Sequence, residues 1–201
     1  MIDSIGIIGT AGRKSASRFM TKEYWDAMKS TCEKLLCDFQ VEKAVSGGAA
    51  FSDHLAVTSY LSGHASNLLL HFPAPFSLID RRYVSGHYGN ITNELHEKFS
   101  TSVGINSLEE IAQALEHGAD YTVNPGGFLH RNTDIVKTSK GLIAFTSGMF
   151  DAISDYGVDH SVPDNVISDN GTRDTWSKAK GHYRIRVSIP ALVTKDQFSL
   201  F

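Results

Sequence analysis

Four glycine-rich turns hold the residues best suited to grip an anion: Gly9-Thr10-Ala11-Gly12-Arg13, Ser46-Gly47-Gly48-Ala49, Thr146-Ser147-Gly148 and Gly171-Thr172. Glycine lets a backbone approach a phosphate closely, and free N–H groups at a helix amino terminus favour negative charge. Gly9, Gly12, Gly47, Gly48 and Gly171 supply that approach, and Thr10, Ser46 and Thr172 add hydroxyl donors. Arg13, Arg131 and Arg173 are the phosphate partners, because a guanidinium forks onto two oxygens. One such turn serves equally well to end a strand sharply; four of them point to a ligand.

Other chemistries find little support. Gly6-Ile7-Ile8-Gly9-Thr10-Ala11-Gly12 only approximates the dinucleotide fingerprint, and no acidic residue follows at the required distance. The phosphate-cradling G-x-x-x-x-G-K-[ST] loop is absent. The nine histidines include no H-E-x-x-H, and no Cys/His set has zinc spacing, so no metal or other cofactor is expected. Cys32 and Cys37 lie five residues apart on one predicted helix, a poor separation for a disulfide. The net charge of −3 lacks the basic field of a nucleic-acid binder. The N-terminus does not read as a signal peptide and no stretch approaches a membrane span, which points to a cytoplasmic protein.

The elements that position these residues read as strand, helix, strand in repeated order. Ile5 to Gly9 is a buried strand, and Thr21 caps a helix whose inner face carries Trp25, Met28, Cys32, Leu35 and Leu36. Ala44-Val45-Ser46 and Asn67 to Phe72 are further strands, with a short helix opened by Ser52 between them. Residues 76–106 are less regular and read as an insertion or lid, in which Tyr83 and Tyr88 could stack on a base. Ser107-Leu108-Glu109-Glu110 reads as a capping box, and a helix from Phe128 to Ser139 follows. Gly141 to Phe145 is a central strand, 147–170 a long loop, Gly171 to Gly181 a helix and Tyr183 to Ile189 the last strand. The tail 194–201 is expected to form an edge or interface. The expected fold is α/β: one domain over 1–201, a Rossmann-like three-layer sandwich with a mainly parallel central sheet.

Three ordered pieces resemble the DprA/LOG-like Rossmann proteins, the SLOG superfamily. They are Ile7 to Arg13; Val45-Ser46-Gly47-Gly48 through Asp53 to Ala56; and Arg131-Asn132 followed by Gly141 to Phe145 and Gly171-Thr172-Arg173-Asp174. The resemblance implies a nucleotide or nucleotide-derived small molecule as ligand, held by a sensor or sequestering protein. It implies two alternatives, a nucleotide N-glycosidase that releases free base and single-stranded DNA binding in the manner of DprA. Family members often pair along helices, which implies a homodimer. The hydrolase motif of the family is P-G-G-x-G-T-x-x-E with an Arg on the preceding helix. Arg131 and Gly171-Thr172 match it, but Thr175 stands at the Glu position and the Pro-Gly-Gly is replaced by the long loop. Asp53 or Asp174 would then have to serve as the carboxylate.

Overall fold

The computed structural model describes residues 2–159, 161–162, 167 and 169–194. Of the expected tail, 194–201, Thr194 ends a helix and 195–201 lie outside the described residues. Seven strands form one sheet in the order β6-β3-β2-β1-β7-β9-β8. They are β1 (Ser4–Gly9), β2 (Lys43–Ser46), β3 (Asn67–Phe72), β6 (Asp120–Val123), β7 (Gly141–Thr146), β8 (Ile153–Asp155) and β9 (Tyr183–Ser188). All neighbouring pairs are parallel except β8–β9. A separate two-stranded hairpin, β4 (Phe76–Ser77) with β5 (Arg82–Tyr83), leaves the carboxyl end of β3.

Alternation along the central strands builds the two cores. Ile5 and Ile7 of β1, with Ile143 and Phe145 of β7, face α1 (Lys22–Asp38), α2 (Leu55–Leu61), α3 (His87–Val103), α4 (Ser107–Glu116) and α7 (Ile189–Thr194). Ile8, Val45, Leu142 and Ala144 face α5 (Phe128–Thr138) and α6 (Asn170–Lys178). The result is the expected three-layer α/β sandwich. Gly6 sits on the α5 side, where a Cβ would come within 2.5 Å of the Leu142 side chain and 3.2 Å of Ile135, so glycine permits the close approach of that layer.

Several local expectations are corrected. Residues 120–123, assigned to no element from the sequence, pair with β3 as an edge strand whose short alternation, Tyr121 and Val123, stays exposed. The α4 helix is capped by Asn106, whose side chain accepts from the Glu109 N–H at 3.2 Å. Ser107 is buried and serves instead as a contact between helices, its hydroxyl 2.9 Å from His96 Nδ1. Ser52 caps nothing; it lies within a 3-10 turn, Phe51–His54, that precedes α2. The 76–106 segment is a hairpin plus the 17-residue α3, with Phe99 and Val103 in the core. Among the described residues no helix is long and apolar enough to cross a membrane.

Candidate functional site

The chain steps outward from β1 through β2 and β3 to β6, then returns through α5 to β7 on the other side of β1. Loops therefore diverge between β1 and β7, and in open α/β sheets ligands bind at such a switch point, outside the carboxyl ends of the strands. A cavity of about 420 Å³ opens there, within the range of small-molecule sites. Its wall combines the loop after β1 (Gly9, Thr10, Arg13, Lys14), Asp53, the first turns of α5 and α6, and Leu95 of α3.

Of the residues singled out in the sequence, Gly9, Thr10, Arg13, Asp53, Arg131, Gly171 and Thr172 line this one cavity. Gly12 lies just behind it, in the left-handed region at φ 69°, its N–H 3.3 Å from Thr10 Oγ1. Ser46, Gly47, Gly48, Arg173 and Asp174 are not on the wall. Ser46 donates its hydroxyl to the Asp53 carbonyl at 2.9 Å. Arg173 donates from Nε to the Ile167 carbonyl at 2.8 Å. Asp174 pairs with Lys178 at 2.6 Å and accepts from Asn132 Nδ2 at 3.0 Å, which ties it to the α5–α6 contact.

The buried centre of the wall is Asp53 with Arg131. Asp53 Oδ1 accepts from the Gly9 N–H at 3.1 Å, and Oδ2 lies 3.7 Å from Arg131 Nη2. Arg131 also donates from Nη1 to the Gly47 carbonyl. Burial pushes the Asp53 carboxyl up to about 6 and Asp169 adds to the rise; Arg131 and the Gly9 and Ala49 N–H groups oppose it. Gly47 is what lets this pair form. A Cβ there would lie 2.7 Å from Arg131 Cζ and 2.9 Å from Asp53 Oδ2.

The turn after β2 is thus sealed at Gly47 and Gly48, and of its residues only Ala49 reaches the cavity wall. The Gly48 carbonyl accepts from the Tyr83 hydroxyl at 2.8 Å and from His96 Nε2 at 3.1 Å. That bond to a carbonyl places the proton on Nε2, and buried His96 has its pKa lowered to about 3, chiefly by desolvation. Tyr83 is fully buried, so of the two tyrosines only Tyr88 comes near the site, packed edge-on to Phe128 at 5.3 Å.

Three further wall residues, Phe128, Lys14 and Asp169, shape the chemistry of the cavity. Phe128 opens α5 and is flanked by the guanidinium carbons of Arg13, at 5.9 Å, and Arg131, at 5.2 Å from its ring centre. Lys14 is exposed and stands at φ 52°, a left-handed conformation that disfavours a side chain and marks a constrained loop. Asp169 caps α6, accepting from the Thr172 N–H at 3.0 Å and the Thr172 hydroxyl at 2.9 Å. The Asp-x-x-Thr spacing was the available signal for that cap. Among the described residues no group of three or more His, Cys, Asp or Glu side chains is arranged to hold a metal ion.

No protein-family model matches the chain. It is similar to uncharacterized protein R261 of Acanthamoeba polyphaga mimivirus, with 31% identity over 193 aligned residues that cover 92% of this chain and 95% of the viral one. At that identity and coverage, the chain belongs to the same protein family as the mimivirus protein R261.

Proposed function

We propose that this is a SLOG-type nucleotide-binding protein whose ligand, a nucleotide or a nucleotide-derived small molecule, occupies the cavity between β1 and β7. The observation that carries the reading is the placement of Arg13, Lys14 and Arg131 on one cavity wall at the switch point of the sheet. Arg13 and Lys14 are exposed at the mouth and free to turn toward an incoming phosphate, while Phe128 offers an aromatic face beside them. Calorimetric titration with AMP tests it. Binding is expected, weakened about tenfold in Arg13→Ala and again in Lys14→Ala, the loss of one charge-assisted contact each. Absence of binding across AMP, GMP, CMP and UMP would overturn the reading.

One observation favours a second reading, a nucleotide N-glycosidase. Asp53 is buried on the wall and holds its proton to about pH 6, the range useful to a group that exchanges protons near neutrality. Water would add at the anomeric carbon as the base leaves with a proton. Asp174 is held off the cavity by Lys178 and Asn132, so of the two candidate carboxylates only Asp53 lines it. Release of free base from AMP, abolished in Asp53→Asn, would favour turnover over sensing.

A further inference from the structure

The cavity wall carries two chemically different groups of residues. The loop after β1 brings Arg13 and Lys14 to it, while the first turn of α6 brings a carboxylate, Asp169. An unoccupied helix amino terminus attracts anions. Here that position is already filled: the Thr172 N–H and hydroxyl both donate to Asp169 Oδ1. A phosphate placed on Gly171-Thr172 would face a carboxylate and meet repulsion. A hydroxyl group would find an acceptor, because both internal bonds fall on Oδ1 and Oδ2 can receive a donor from the ligand. Arg131 gives the same wall a second polar group: its side chain is only 8% exposed, Asp53 and the Gly47 carbonyl hold its guanidinium, and its Nε, buried against Gly47, has no hydrogen-bond acceptor.

We infer that the ligand is a ribosyl phosphate, its phosphate toward Arg13 and Lys14 and its vicinal ribose hydroxyls donating to Asp169, so that Asp169 selects ribose over 2′-deoxyribose. The inference rests on the nucleotide-binding reading above. A vicinal diol presents two O–H donors to one carboxylate, and a bond to an ionised acceptor is about twice as strong as a neutral one. A deoxy ligand leaves the carboxylate underbonded in a partly desolvated wall, and sites built to hydrogen-bond a hydroxyl reject analogues that lack it.

The test is calorimetry with AMP, 2′-deoxy-AMP, ribose 5-phosphate and inorganic phosphate on the wild type, Asp169→Ser and Asp169→Asn. Serine and asparagine both cap a helix as well as aspartate does, so each variant should keep α6. Serine is too short to reach the diol, and asparagine keeps an acceptor without charge. The wild type should bind AMP at least about tenfold more tightly than 2′-deoxy-AMP. That ratio should fall to about one in Asp169→Ser and to an intermediate value in Asp169→Asn. Ribose 5-phosphate binding as well as AMP would identify a sugar phosphate as the source of the chemistry, and weaker binding a nucleotide; both agree with the diol assignment. Equal affinity for AMP and 2′-deoxy-AMP in the wild type, a ratio unchanged in Asp169→Ser, or inorganic phosphate binding as tightly as AMP would overturn the diol assignment and leave nucleotide binding standing. Failure of all four ligands to bind would remove both.

Discussion

After β1 the chain runs Gly9-Thr10-Ala11-Gly12, and after β2 it runs Gly47-Gly48-Ala49-Ala50. Both turns follow a buried parallel strand, and each has one glycine in the left-handed region, Gly12 at φ 69° and Gly48 at φ 63°. Their surroundings differ. The first turn leads into exposed Arg13 and Lys14 and borders the cavity. The second is covered by Arg131, Tyr83 and His96, which take its carbonyls, and by Asp53, which takes the Ala49 N–H. Backbone groups are paired inside the fold in both turns, in the first the N–H groups of Gly9 with Asp53, Thr10 with the Phe145 carbonyl and Gly12 with Thr10 Oγ1, so the exposed side chains of Arg13 and Lys14 are what set the first turn apart. Glycine after a strand therefore marks close approach, and the distant residues that pack on the turn decide whether the approach is by ligand or by protein.

The largest way to break this contrast is Gly47→Val. Its side chain would separate Asp53 from Arg131, and disrupting a buried ion pair costs about 3 kcal/mol or more. Urea denaturation should show the loss directly. A stability unchanged within about 0.5 kcal/mol, the size of a surface change, would mean that the turn is not sealed by that pair.

A smaller effect comes from the titration of Asp53. Its folded pKa is raised to about 6 from an ordinary value near 3.8. Between those values the folded protein binds more protons than the unfolded chain, so stability is highest at the acidic end and falls as pH rises through the window. The slope reaches at most about 1.4 kcal/mol per pH unit for one group. Asp53→Asn retains an acceptor for the Gly9 N–H and should flatten this part of the stability curve, measured by denaturation from pH 4 to pH 6.5. A wild-type curve that rises with pH while the variant matches it would contradict the burial of a titrating carboxylate.

Much of this frame was legible in the residues. The apolar runs of β1, β3 and β7 and the helical spacing of Trp25, Met28, Cys32 and Leu36 revealed the central sheet and the layer covering it. The edge strand β6 escaped because exposed Asp120 to Val123 bury no face, and only pairing with β3 makes them a strand. In the site, Arg131 and Asp53 stood out by type and position. The closure of Gly47-Gly48 did not, because Tyr83 and His96 lie 35 and 48 residues from Gly48 in sequence. Asp174 stands one residue before Thr175, about a hundred degrees around the helix from the Glu position, and its place on α6 directs it to Lys178 and Asn132.

The most direct test of the account is to titrate AMP into the isotopically labelled protein and follow its backbone amides by two-dimensional NMR. The amides of Thr10 to Ser15 should shift in proportion to saturation while those of Gly47 and Gly48 stay nearly still. Shifts concentrated at Gly47 and Gly48, or none at Thr10 to Ser15 at saturating AMP, would contradict the assignment of the turn after β1 as the one that meets the ligand.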